Sequence, residues 1–243
     1  MTAAARGRLI GVGVGPGDPE LMTLKAARTI AAAPIVAFFA KAGNHSHSRR
    51  IADAHVRCDA VELPLLYPVT TESHRHAADY KIRMAGFYED AAASLAVHLD
   101  AGQDIVVLSE GDPLFYGSYM HLHVRLRDRY ATEIVPGVTG MAGCWSTTAT
   151  PIAQGDDVLT ILPGTLDEAV LTRRLRDSEA AVIMKVGRNL AKIRRALAAS
   201  GRLADALYVE RGTMAESRHR PLVEQPDGTA PYFSIVLVPG WRR

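Results

Sequence analysis

The chain has 243 residues, enough for one large domain or two compact ones. Hydrophobic residues at 48% and charged residues at 22% are ordinary globular usage and exclude a disordered tail protein. A net charge of +2, from 28 basic and 26 acidic residues, argues against a dedicated nucleic-acid binder, whose affinity would come from dense positive charge. Two cysteines, Cys58 and Cys144, make no disulfide framework, and a reducing cytoplasm is the expected setting.

In chain order, Arg8 to Val14 reads as a strand running into a glycine turn, Leu21 to Ala32 as a helix, and Ile35 to Phe39 as a second strand. Lys81 to Ala101 has helical spacing (Met84, Tyr88, Ala92, Leu95, Leu99) and a C-capping Gly102. Asp104 to Leu108 is a buried-type strand, Tyr119 to Asp128 a helix, and Glu133 to Val135 a short strand. Ile134 to Gly155 is uncharged over 22 residues, but Pro136, Gly137, Gly140, Gly143, Ser146, Thr147, Thr148, Thr150, Pro151 and Gln154 interrupt any membrane-spanning surface. Arg6 and Arg8 before Leu9 to Val14 do not make a signal peptide, because Pro16, Asp18, Pro19 and Glu20 follow at once.

A second cycle starts near Asp156, with strands at Val158 to Leu162, Ala181 to Val186 and Leu207 to Glu210, and helices at Leu166 to Arg176 and Leu190 to Ala199. Pro221 to Gln225 and Tyr232 to Val238 read as a hairpin around Pro226-Asp227-Gly228. The expected architecture is α/β in two domains, 1–153 and 154–243, with a mostly parallel first sheet and a mixed second one.

Three loops follow predicted strands. The first, Gly11-Val12-Gly13-Val14-Gly15-Pro16-Gly17-Asp18, fits neither register of a dinucleotide fingerprint, since Pro16 or Asp18 takes the last glycine position. It also lacks the Gly-Lys-Ser/Thr ending of a P-loop, which leaves a structural turn or a small-molecule loop. The second is Ser109-Glu110-Gly111-Asp112-Pro113-Leu114-Phe115-Tyr116-Gly117 and the third Pro136-Gly137-Val138-Thr139-Gly140. In open α/β sheets ligands collect outside the carboxyl ends of strands, so three such loops suggest one shared site.

Gly13 to Ala26 resembles the first signature of the tetrapyrrole (corrin and porphyrin) methylases, and Glu110-Gly111-Asp112-Pro113 with Pro136-Gly137-Val138-Thr139 resembles the second. Ala37 to Lys41, Leu65 to Thr71 and Gly111 to Tyr119 resemble the family branch that methylates a meso carbon of a reduced tetrapyrrole. The resemblance implies a homodimeric, two-domain enzyme using S-adenosylmethionine, held in the cleft between the domains, and releasing S-adenosylhomocysteine. It implies cofactor contacts at Pro16, Glu110, Gly111, Asp112, Phe115, Thr139, Gly140, Met184 and Gly212. Some relatives carry an Asp as a proposed base at the end of the second strand; here that place is Phe38-Phe39-Ala40.

Methyl transfer from a sulfonium is an in-line displacement, so positioning and a poorly hydrated site supply much of the rate. A base is needed only to remove a proton afterwards, and Glu110, Tyr67, His45 and His47 are the candidates. The substrate would bring up to eight carboxylates. Arginine, 23 of the 28 basic residues, suits them through its planar fork. Arg49, Arg50, Arg211 and Arg218 are the candidates beside Tyr67. The pairs His45/His47, His74/His76 and His121/His123 lack a third ligand at recognised spacing, so no metal is expected, and Cys144 reads as a structural thiol. The alternatives are the same reaction on a cobalt-bearing tetrapyrrole, a nicotinamide oxidoreductase or a non-catalytic nucleotide-binding module.

Overall fold

A computed structural model describes residues 5–68 and 78–240. The chain divides into two compact units, Met1–Thr139 and Gly140–Arg243. The first contains β1 (Leu9–Gly13), α1 (Leu24–Ala32), β2 (Ile35–Lys41), α2 (His47–Ile51), β3 (Val61–Tyr67), α3 (Ala78–Asp100), β4 (Ile105–Ser109), α4 (Tyr119–Leu126) and β5 (Thr132–Val135). Its five strands are parallel, in the order β3-β2-β4-β1-β5.

Strand alternation divides the core of this unit between the two faces of the sheet. Leu9, Ile35, Ile105 and Val107 pack with Leu95 and Leu99 of α3 and Leu122 and Leu126 of α4. Ile10, Val12, Val36, Val106 and Leu108 pack on the opposite face with Ala26 and Ile30 of α1 and with Ile51. Each such fully buried aliphatic side chain contributes about 2 kcal/mol of transfer free energy. The sheet is covered on both faces, as parallel sheets are, which explains the unbroken apolar runs of β1 and β4. The helix expected from Leu21 starts only at Leu24: Thr23 Oγ1 accepts from the Ala26 amide at 3.1 Å, while Pro19–Leu21 forms a separate 3-10 turn capped by Asp18.

The second unit contains α5 (Gly140–Thr147), β6 (Leu159–Pro163), α6 (Glu168–Arg176), β7 (Ala180–Met184), α7 (Leu190–Ala199), β8 (Leu207–Glu210), β9 (Arg218–Pro221) and β10 (Ser234–Val238). Its sheet is mixed, in the order β6-β7-β10-β8-β9. β6 and β7 are parallel, β10 runs antiparallel to both β7 and β8, and β9 runs antiparallel to β8.

Two expectations change. The tail is no hairpin: β10 inserts between β7 and β8, β9 pairs with β8, and Leu222–Glu224 is a 3-10 turn. The division falls at Thr139/Gly140 rather than at 153/154. The reason is α5, whose Cys144 packs with Val182, Val209, Ile235 and Leu237 on one face of the second sheet. The other face holds Ile183, Tyr208 and Val236 against Leu171, Leu175, Ile193 and Leu197 of α6 and α7.

Candidate functional site

β4, β1 and β5 are neighbours, so their three following loops emerge side by side at the carboxyl end of the first sheet. The loops are joined by backbone. Val14 N–H donates to the Ser109 carbonyl at 2.9 Å, and Gly111 N–H donates to the Gly15 carbonyl at 2.8 Å. Asp112 secures two turns at once: Oδ1 accepts from the Leu114 amide at 2.9 Å and Oδ2 from the Gly137 amide at 3.2 Å. A Cβ on Gly13 would stand 2.5 Å from the Gly111 carbonyl oxygen, and one on Gly137 only 2.1 Å from the same atom. These two glycines therefore let the loops meet each other. Gly15 and Gly111 have positive φ, which keeps the turns tight. Pro16 is buried, Asp112, Phe115 and Thr139 are half-buried, and Gly140 opens α5 in the second unit.

Glu110, the first residue past β4, meets the N-terminal turn of α2. Its side chain is exposed, yet protein crowds the carboxyl group, and the resulting loss of hydration raises its pKa to about 7. A hydrogen bond from the Ser48 amide and the charge of Arg50 pull the other way. Arg50 lies 3.3 Å from His47 Nδ1, and both line a surface depression of ≈ 280 Å³ together with His45 and Ser46. Arg49 faces elsewhere. Its guanidinium holds Glu62 at 3.0 and 2.8 Å and Asp53 at 2.8 Å, so it ties α2 to β3.

Tyr67 ends β3 at the same end of the sheet, level with Lys41. Its ring stacks on Phe39 at 5.5 Å and 17°, and Phe87 of α3 lies tilted against it at 5.2 Å. Its hydroxyl is 2.5 Å from Ser118 Oγ, which also accepts from Tyr88 Oη at 3.1 Å. Tyr88 in turn stacks on His121 at 4.1 Å. Sequence reading named Tyr67 but missed Phe39, Tyr88 and Ser118 as its partners; only the position of Ser118, next to the second loop, hinted at this.

In the second unit Met184 ends β7, and its carbonyl accepts from the Gly164 amide at 2.6 Å. Gly212 follows β8 and presses on α5, where a Cβ would stand 2.7 Å from Cys144 Sγ. That thiol is raised to about 12 by burial, as befits a packing residue. Lys185, Arg211 and Thr213 all hold positive φ beside these two positions. Such strain in non-glycine residues gathers at functional sites. Arg218 lies on the exposed edge strand β9.

Among the described residues no three His, Cys, Asp or Glu side chains gather as a metal site. His121 and His123 take different partners, the Tyr88 ring and the Tyr119 ring. His74 and His76 lie outside the described residues, as do Val69, Thr70 and Thr71 of the branch-specific segment. No described helix is long and apolar enough to cross a membrane.

The family model of the Tetrapyrrole (Corrin/Porphyrin) Methylases matches residues 8–225, and the chain belongs to that family of methyltransferases. It is 59% identical over 242 residues to a precorrin-2 C(20)-methyltransferase of Sinorhizobium sp, covering 100% of this chain and 99% of that one. It is 50% identical over 240 residues to the cobalamin biosynthesis protein CobIJ of Mycobacterium tuberculosis, covering 99% of this chain but 47% of that longer one. In fold it is similar to the uroporphyrin-III C-methyl transferase of Thermus thermophilus complexed with S-adenosyl homocysteine, with a TM-score of 0.68, 24% identity and coverage of 95% and 97%.

Proposed function

We propose that this chain transfers a methyl group from S-adenosylmethionine to carbon 20 of precorrin-2, giving precorrin-3A in cobalamin biosynthesis. The observation that carries the proposal is the 59% identity, over essentially both full lengths, to a precorrin-2 C(20)-methyltransferase. The cofactor, when bound, supplies an electrophilic methyl on a sulfonium and leaves as a thioether.

The residues present fit such a ligand. The loops after β1 and β4 offer backbone groups at the positive-φ Gly15, Gly17 and Gly111, the Glu110 carboxylate can meet an ammonium, and half-buried Phe115 offers an apolar surface. Pro16, Glu110, Gly111, Asp112, Phe115, Thr139, Gly140, Met184 and Gly212 are the proposed contacts to the donor. Asp112 acts through the loops it fastens. A carboxyl group titrating at about 7 suits Glu110 to exchange a proton near neutrality. Arg50, Tyr67, Arg211 and Arg218 are the proposed contacts to substrate carboxylates. Arg49, with its guanidinium on Glu62 and Asp53, serves by holding α2. The enzyme works as a cytoplasmic homodimer in this reading.

Isothermal titration with S-adenosylmethionine and NAD tests the cofactor class, and binding of the former alone is expected. Mass spectrometry of precorrin-2 incubated with protein and a carbon-13 methyl donor, followed by carbon NMR, should place one label at carbon 20. A label at another carbon, or turnover restricted to the cobalt-bearing substrate, overturns the assignment.

A further inference from the structure

The aromatic cluster at the end of β3 is built to fix one oxygen atom. Phe39 and Phe87 pack on the Tyr67 ring, so the part of this side chain best placed to meet a ligand is its phenolic edge. That edge is bound to Ser118 Oγ at 2.5 Å, and Ser118 already accepts from Tyr88 Oη at 3.1 Å. Tyr88 is itself buried, with His121 stacked on its ring and the Arg125 guanidinium 5.9 Å from the ring centre. Ser118 thus joins a buried phenol to a half-buried one. Linked hydroxyls polarise one another, so the Tyr88–Ser118 bond strengthens the bond that Ser118 makes to Tyr67.

The location gives this chain of hydroxyls a purpose. Ser118 opens α4 at the end of the loop that begins with Glu110, and it makes no capping hydrogen bond to its own helix. Its backbone is itself helical (φ −68°, ψ −21°), so its hydroxyl is not placed to cap and instead reaches a side chain 51 residues away in sequence. Tyr67 lies at the carboxyl end of a parallel sheet, where ligands of such sheets bind, with β2 and β4 between its strand and β1.

Resting on the proposed reaction, we infer that Ser118 is a positioning residue that holds the Tyr67 hydroxyl for a hydrogen bond to a carboxylate arm of the tetrapyrrole. This bond sets how the pigment lies, and so which carbon meets the methyl donor. A misplacement of about 1 Å can cost a hundredfold in an in-line transfer, so fixing one oxygen bears directly on the site of methylation.

The test uses the full chain with Ser118→Ala, Ser118→Thr, Tyr67→Phe and the double variant Ser118→Ala/Tyr67→Phe. For each, kcat and KM for precorrin-2 are measured anaerobically, alongside S-adenosylmethionine Kd and Tm. Ser118→Ala and Tyr67→Phe should each raise KM for precorrin-2 about tenfold, with S-adenosylmethionine Kd and Tm little changed. The double variant should be no worse than Tyr67→Phe alone, because Ser118 acts through the Tyr67 hydroxyl. Ser118→Thr, which keeps the hydroxyl, should recover most of the loss. Full activity in both single variants, additive losses, or a defect confined to S-adenosylmethionine binding overturns the inference while leaving the methylation intact. Failure of the unaltered protein to methylate precorrin-2 removes the reading on which it rests.

Discussion

The α-carbon of Gly137 stands where a side chain on Gly13 would begin: a Cβ on Gly13 would lie 2.7 Å from it and 2.6 Å from the Gly137 nitrogen. Backbone meets backbone here, between the loops after β1 and β5, with the Gly111 carbonyl oxygen lodged against both. The contact leaves no flexible group that could move aside.

Gly137→Ala should therefore destabilise the first unit by about 3 kcal/mol, the range of overpacked cores. Gly86→Ala is the matched control. It lies within α3 with nothing inside 4 Å of its added Cβ, and it should stabilise by about 0.5–1 kcal/mol. Urea melts of the two variants measure both values. Equal stability of Gly137→Ala and the unaltered chain would mean that the loops do not meet in this way.

Asp112→Asn keeps the size of the side chain but replaces one acceptor oxygen with a donor. Because the two oxygens serve the Leu114 and Gly137 amides separately, one amide must lose its partner. The expected cost is about 1–3 kcal/mol of stability. S-adenosylmethionine affinity should fall with it, because the loops lose their mutual fastening. Unchanged affinity, read by calorimetry, would separate Asp112 from the donor site.

Glu110 gives a pH dependence whose sign is fixed by its environment. Its carboxyl is raised to about 7 in the folded chain, from an ordinary value of 4.5, because the protein crowded around it strips water from the charged group. Between those two values the folded state holds more protons than the unfolded one, so stability falls as pH rises through this window. Glu110→Gln removes the titration. Its stability relative to the unaltered chain should therefore improve from pH 5 to pH 8. A constant difference across that range, measured by denaturant melts, would refute the raised value.

Arg202 is 4% exposed and has its guanidinium on three carbonyls: Ser178 at 2.7 Å, Glu179 at 2.8 Å and Pro239 at 3.1 Å. A lysine cannot reproduce that planar fork. Arg202→Lys should cost the second unit about 2–4 kcal/mol, because buried carbonyls lose charged donors. A thermal melt following the second unit checks this, and a loss below half a kcal/mol would contradict it.

Much of the fold is readable because buried parallel strands and amphipathic helices carry their period in the sequence. Leu190–Ala199 and Leu207–Glu210 lie where the pattern puts them. β3 escapes because it is an edge strand with Pro64 at its centre and exposed Val61 and Leu66, so neither period is plain. α5 escapes because Gly140, Gly143, Ser146 and Thr147 are poor helix formers, and packing of Cys144 overrides their propensity. Pro226-Asp227-Gly228 resembles a hairpin turn, but local sequence cannot show that a late strand will insert between two earlier ones. At the candidate site, the loop motifs mark the carboxyl end of the first sheet. They do not reveal that Gly13 and Gly137 serve loop packing, or that Ser118 reaches Tyr67, since both facts depend on contacts distant in sequence.

The strand order of the second sheet has a consequence during synthesis. Since β10 is the middle strand, a ribosome-bound chain that has emerged only as far as Gly228 possesses β6–β7 and β8–β9 as two half-sheets with open edges toward each other. The first unit has all its strands once Val135 is out. Nascent protein therefore passes through an interval in which one half is folded and the other waits with two unsatisfied strand edges. Such edges invite mispairing with other chains, and a chaperone that shields the nascent second unit should raise yield more than one acting on the first.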